Sequence, residues 1–275
     1  MHETTVVGWD GSATAANAID WAVGRALSQP VGARRLQIVR AVDDTAFAAD
    51  EPGKRRAVDA ATAEIAALAA GLTADHPELD VRTEVVRGEV GDVLTDRTGP
   101  DALVVVGGET RHTEEYWYST RLGARLAGAA HGPVAVVPPG DDLPRSGVMV
   151  AVDDSPAALH VCRFAAQLAT ARGDALHAVH VGTRSHTIGT DQELLDDQIA
   201  PVVAEFPELK VESHLESGST AGALLRRARE RAVVVVGSRQ QDAVRRLFLG
   251  SVSHALVTNA RCPTVVVPPQ DAEGR

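Results

Sequence analysis

The chain has 275 residues, 44% hydrophobic and 23% charged, with a formal net charge of −10. That length suits two domains of about 100–150 residues each, and the apolar share fills two cores, which excludes extensive disorder. The acidic balance excludes general binding to nucleic acid or to a membrane surface, because both need a positive field.

In chain order, apolar β-branched runs fall near 5–8, 36–42, 81–86, 103–106 and 134–137, and again near 148–152, 175–181, 211–215, 233–236 and 264–267. The second series repeats the first. Pro77-Glu78-Leu79-Asp80-Val81 returns as Pro207-Glu208-Leu209-Lys210-Val211, and Val104-Val105-Val106-Gly107 as Val234-Val235-Val236-Gly237, both at an offset of 130. Val136-Val137-Pro138-Pro139 returns as Val266-Val267-Pro268-Pro269 at the same offset, and Val7-Gly8-Trp9-Asp10-Gly11-Ser12 matches Val150-Ala151-Val152-Asp153-Asp154-Ser155 at 143. A period this long is a duplicated domain, not a solenoid. The runs around Val104 and Val234 are apolar without alternation, as in strands covered on both faces.

Between the strands lie helical patterns. Ser155-Pro156 predicts an N-cap followed by proline at the first helical position. Leu159, Cys162, Ala165 and Ala169 then predict one apolar stripe, with Ser12, Ile19, Ala22 and Ala26 at matching places in the first copy. Alternating strands and helices give a parallel, open α/β sheet with right-handed crossovers in each domain, 1–140 and 145–275. The stiff polar stretch Pro138-Pro139-Gly140-Asp141-Asp142-Leu143-Pro144 links them.

In such sheets a ligand sits beyond the carboxyl ends of the strands, where strand order reverses. Three loops of the second copy are candidates: the one with Asp153-Asp154-Ser155, the one after Val179-His180-Val181, and the one from Gly237-Ser238-Arg239-Gln240 to Gly250-Ser251-Val252-Ser253, where another helix starts. Gly250 lets a ligand approach the backbone and Ser251 is placed to cap the helix, whose N–H groups attract anions. Arg239, Arg245 and Arg246 against Asp242 make this loop basic, so a phosphate-bearing ligand suits it. Ordinary helix capping accounts for the glycine and serine equally well.

Taken together, Asp-x-Ser after strand one, Gly237 and then Gly250-Ser251 after strand four, and Cys262-Pro263 before a final valine strand resemble the universal stress protein family. The resemblance spans both halves, as in a tandem member. It implies two doubly wound five-stranded parallel sheets in the order 3-2-1-4-5, packed as a pseudo-dimer through their last strands, and it leaves a homodimer of the whole chain open. It also implies ATP or another adenine nucleotide as ligand, with Asp153 near the ribose, Val181 at the adenine, and Gly237, Gly250 and Ser251 at the phosphates; Arg239, Gln240, Val252 and Ser253 complete that loop. Gln240 stands where the family has a second glycine, and at φ > 0 its Cβ costs roughly 1–2 kcal/mol. The first copy keeps Gly107 but has Thr110 and Thr120-Arg121 at the other motif positions. Its loop carries Glu109, Glu114 and Glu115 against Arg111 and Arg121, so phosphate is less welcome there.

Other chemistries are weaker. Lys54 and Lys210 are the only lysines and neither follows a glycine-rich loop, so a P-loop is excluded. Asp153-Asp154 as a magnesium pair of a receiver domain lacks that domain's lysine. His177 and His180 point to opposite faces of a strand, so they do not share a metal; one is expected to pack or hydrogen-bond and the other to face solvent. Gly218-Ser219-Thr220-Ala221-Gly222 lacks the order of a nucleophile elbow and is read as the turn into a helix, like Gly88-Glu89-Val90-Gly91. Cys162 and Cys262 are expected as reduced thiols, with Cys262 inert. Trp9 and Trp21 are assigned to the sheet edge and to helix packing; the Tyr116-Trp117-Tyr118 cluster is either a partner patch or a cover for the first pocket. No basic, apolar secretory signal opens the chain, and no apolar run approaches about 18 residues, so a cytoplasmic protein is expected. With no metal site and no general base set against a nucleophile, the expected function is nucleotide-dependent regulation of a stress response, not catalysis. Slow ATP hydrolysis or phosphotransfer, and an interaction module without nucleotide, are the alternatives.

The matching apolar runs 133–139 and 263–269 carry a testable consequence, because a bare apolar edge strand invites aggregation. If each edge covers the other, Val136→Asp lowers the melting of both domains together in calorimetry; a second domain that melts independently and unchanged overturns the pairing.

Overall fold

The structure, a computed structural model, describes residues 4–43, 51–108, 117–140, 143–182, 188–238 and 249–269, with backbone alone at 117–121 and 188. The chain divides into two compact units, Met1–Pro139 and Gly140–Arg275. In the first, β1 (Thr4–Gly8), α1 (Ala13–Leu27), β2 (Arg35–Val42), α2 (Glu51–Asp75), β3 (Asp80–Arg87), α3 (Val90–Thr95), β4 (Ala102–Gly107), α4 (Trp117–Ala129) and β5 (Val134–Val137) follow one another. All its strand pairs are parallel, in the order β3-β2-β1-β4-β5. The second unit repeats the series with β6 (Val148–Val152), α5 (Ala158–Arg172), β7 (Leu176–Val181), α6 (Ile188–Glu205), β8 (Val211–Glu216), α7 (Thr220–Ala228), β9 (Val233–Gly237), α8 (Ser251–Asn259) and β10 (Thr264–Val267). Its order is β8-β7-β6-β9-β10, again all parallel. Each unit is therefore a doubly wound α/β sheet of order 3-2-1-4-5, and every expected strand is present within one residue at either end.

The middles of β4 and β9 are buried because helices cover both faces. Leu103, Val104 and Val105 of β4 and Val233, Val234 and Val235 of β9 are fully buried, each contributing about 1.5–3 kcal/mol of hydrophobic stabilisation. The covering helices come close because they present small side chains: Ala18, Ala22 and Ala26 from α1, and Ala165, Ala166 and Ala169 from α5. Gly88 and Gly218 turn the chain out of β3 and β8 with φ of +147° and +100°, a backbone region that costs a residue with a Cβ. Helices α3 and α7 then start after Glu89 and Ser219, as the sequence predicts.

Two local expectations need correction. Ser12 does cap α1, accepting a hydrogen bond from the Ala15 amide at 3.1 Å, but Ser155 does not cap α5. That helix starts at Ala158 behind Ala157, which makes no side-chain cap bond, after a turn closed by the Ala158 amide on the Ser155 carbonyl at 3.0 Å. Cys162, Ala165 and Ala169 of the expected stripe are buried, joined by Ala158, Val161, Phe164, Ala166 and Leu168, while Leu159 is half-buried. Trp9 does not stand at a sheet edge: β1 is the middle strand, and Trp9 follows its carboxyl end with its amide on the Val39 carbonyl. Among the described residues one helix, α2, is long and apolar enough by length and composition to cross a membrane, although charged residues interrupt it and it holds no apolar run near 18 residues. Its apolar character is mostly alanine, the strongest helix former, and it buries Ala61 and Ile65.

The unequal capping has a measurable result. Ser12→Ala is expected to cost about 1 kcal/mol, whereas Ser155→Ala is expected to stay within about 0.5 kcal/mol. Urea unfolding of the two variants checks this, and equal losses would contradict the observed caps.

Candidate functional site

Strands β7 and β9 flank β6 on opposite sides, so the connections that leave their carboxyl ends diverge and open a crevice. A cavity of about 140 Å³ lies there in the second unit. Asp153 and Asp154 line it from the end of β6, Val181 from the end of β7, Gly237 from the end of β9, and Gly250, Ser251, Val252 and Ser253 from the start of α8. Seven of the nine residues singled out in the sequence thus converge on one space. The other two, Arg239 and Gln240, lie outside the described residues, as do Asp242, Arg245 and Arg246. Thr220, Leu224 and Leu194, from α7 and α6, complete the wall; only the fold brings these helices to the crevice.

Asp153 is held by local geometry. Its Oδ1 accepts the Ser155 amide at 3.1 Å, and Asp10 of the first unit accepts the Ser12 amide at 2.9 Å in the same turn. Behind it, Cys162 is fully buried. Burial, reinforced by the Asp153 charge, pushes its thiol up to about 12, so it stays protonated at neutral pH. Cys262 is also buried and donates to the Ala228 carbonyl at 3.4 Å; both cysteines are free thiols.

The start of α8 differs from expectation. Gly250, not Ser251, is the capping residue, with φ −57° and ψ 151°, and among the described residues no side-chain cap bond is made to the first amides. Ser251 is instead the first helical residue. The buried Ser253 hydroxyl donates to the Gly237 carbonyl at 2.7 Å and pins the helix start to the end of β9. The positive end of α8 therefore faces the cavity, with no side-chain cap among the described residues, which suits an anion.

The two strand histidines are both buried, against the expectation that one faces solvent. His180 lines the cavity. Its Nδ1 lies 2.8 Å from the Val152 carbonyl; a carbonyl only accepts, so Nδ1 carries the proton. Its Nε2 is buried and, among the described residues, has no hydrogen-bond partner; it lies 3.5 Å from the carboxylate of the buried Asp191. No pattern in the sequence announces this pair, because Asp191 reaches His180 only through the placement of α6.

The first unit fills the same place differently. Gly8 pairs with Val39 as Ala151 pairs with Val179, so Trp9 and Arg40 stand where the second unit has Val152 and His180. Arg40 Nη1 donates to the Trp9 carbonyl at 3.2 Å, and the Trp9 indole donates to Glu64 of α2 at 2.7 Å. A Cβ on Gly107 would come within 2.7 Å of the Thr14 backbone, whereas one on Gly237 would meet, among the described residues, the Val161 side chain at 3.3 Å. Helix α1 thus closes on the end of β4 more tightly than α5 closes on β9. Glu109, Thr110, Arg111, Glu114, Glu115 and the side chains of Tyr116, Trp117, Tyr118, Thr120 and Arg121 lie outside what the structure describes.

The sequence model of the universal stress protein family matches residues 1–138 and again 145–268. The chain belongs to the universal stress protein family. It carries the family's domain twice. A universal stress protein of Mycolicibacterium smegmatis is 28% identical, over 96% of this chain and 97% of that protein. One of Mycobacterium tuberculosis is 29% identical over 96% of each. Among solved structures, a universal stress protein from Archaeoglobus fulgidus shares the fold, with a TM-score of 0.75 at 18% identity over 96% of this chain and 98% of that one.

The two strand-end glycines of this tandem universal stress protein separate in a simple test. Gly107→Ala forces a Cβ against main chain and is expected to cost about 1–3 kcal/mol. Gly237→Ala meets a side chain that yields and is expected to cost under about 1 kcal/mol. Denaturant unfolding measures both; a larger loss for Gly237→Ala would overturn the difference in closure.

Proposed function

We propose that this universal stress protein binds an adenine nucleotide, ATP or a close relative, in its second unit, and acts in the cytoplasm as a regulator whose contacts with partners depend on that ligand. The observation that carries this reading is the convergence of Asp153, Val181, Gly237 and the start of α8 on one cavity. Val181 and Val179 offer an apolar wall to a base, Asp153 an acceptor to ribose hydroxyls, and the α8 amides a positive end to phosphates. The first unit, with Trp9, Arg40 and the tighter Gly107 at the matching place and an acidic loop in its sequence, is proposed to take nucleotide poorly or not at all. Slow phosphoryl transfer is the second reading, supported by the buried His180–Asp191 pair on the cavity wall.

Calorimetric titration of the intact chain with ATP is expected to give a stoichiometry near one. Gly250→Val should weaken binding by at least about tenfold, or 1.4 kcal/mol, Thr120→Val should leave it unchanged, and Gln240→Gly should tighten it. A stoichiometry near two, or loss with Thr120→Val alone, overturns the asymmetry; no binding at all favours an interaction module without nucleotide. Turnover that disappears in Asp153→Asn would select the phosphoryl-transfer reading.

A further inference from the structure

At the amino end of β7, the opposite end from the cavity-lining Val181, three ligand-type side chains meet on one face of the second sheet. The parallel register pairs His177 with Glu212 and Val179 with His214. Residues two apart on a strand share a face, so His177, Glu212 and His214 project to the same side. His177 Nδ1 lies 3.2 Å from His214 Nε2 and 3.3 Å from Glu212 Oε2, which is 3.8 Å from His214 Nε2. Ligand atoms on a tetrahedral zinc ion with bonds of about 2.0–2.1 Å stand roughly 3.3–3.4 Å apart, so this triangle is already close to one face of that polyhedron.

We propose that His177, Glu212 and His214 form a Zn²⁺ site whose fourth position is open to water. Two imidazoles and one carboxylate are a donor set suited to zinc. The His177 side chain is 10% exposed and that of Glu212 35%, so the site is anchored in the sheet yet reachable from solvent. Glu212 Oε1 is held by Lys210 Nζ at 2.7 Å, which leaves Oε2 turned to the imidazoles. Burial, with Arg231 beside His177 and Arg227 beside His214, holds both histidines below their usual pKa, so both are neutral and have lone pairs at neutral pH.

One neighbour opposes the ion. Arg231 Nη1 is 2.9 Å from His177 Nε2. A guanidinium only donates, so Nε2 accepts and the ring proton sits on Nδ1, where it is shared with His214. Zinc needs the Nδ1 lone pair. The ring proton must then move to Nε2, and Arg231 must turn away from it; Glu230, with Oε2 3.7 Å from Arg231 Nη2, is placed to receive it. There is no spare room on the other side, since a Cβ on Gly147 would fall 2.7 Å from His177 Nε2. Arg231 is thus a resident competitor that sets the affinity.

The test is titration of the full chain with Co²⁺, read by the visible absorption of the tetrahedral ion, and displacement by Zn²⁺. One ion per chain is expected. Glu212→Gln and His214→Ala should each weaken binding by at least about tenfold, while Arg231→Met tightens it by about tenfold. Glu212→Gln changes a half-exposed side chain on an edge strand and keeps its shape, so it tests the site even where His214→Ala folds poorly. Absence of tetrahedral absorption in both wild type and Arg231→Met, or wild-type affinity in Glu212→Gln, overturns the site. Unchanged or weaker binding in Arg231→Met overturns the role given to that residue.

Discussion

A parallel sheet must be covered on both faces, and that single constraint organises each unit of this chain. Inner strands of valine and leucine cannot face water, so the chain winds outward from the middle strand first to one side and then to the other, which lays connecting helices over both faces. In the second unit β7 and β9 flank β6, and the divergence of their connections opens the crevice at the strand ends. The candidate site is therefore a by-product of covering the sheet. Its lining comes from strand ends and helix starts because those are the places where the covering is incomplete.

The same constraint explains how two copies of one fold come to differ. The strands, their order and even the aspartate turn after the first strand agree between the units. Differences also stand at the crevice, where packing does not dictate the residue. In the second unit Val152 and His180 leave a cavity. In the first unit Trp9 is tied down by Glu64, and Arg40 lies against the Trp9 carbonyl. A duplicated domain can thus retain its core and change its ligand chemistry through a few side chains at the strand ends, consistent with function residing in sites and not in folds.

The histidines of β7 illustrate how a strand divides labour. His177 and His180 point to opposite faces, as the period of two requires, and both are buried. Each was left without a partner by the sequence alone because those partners come from other elements: Glu212 and His214 from β8, Arg231 from the connection before β9, Asp191 from α6. Spacing along one strand separates His177 from His180. It says nothing about ligands supplied across the sheet.

The sequence by itself determined the duplication, all ten strands and the loops that carry the site, because hydrophobic period and glycine or proline punctuation are local and the repeat shows each signal twice. It also placed seven cavity residues, since these follow from where strands end and where the helix after β9 begins. Three things were decided only by tertiary structure. The start of α5 and the cap of α8 depend on how each helix docks on its sheet, which overrides the preference of Ser155 or Ser251 for a cap. The closure of the first unit depends on Thr14 backbone meeting Gly107, a contact between segments 93 residues apart in sequence. The polar clusters depend on cross-strand register, which places His177 beside Glu212. Local patterns fix which face a side chain takes; only the pairing of distant segments fixes what it meets there.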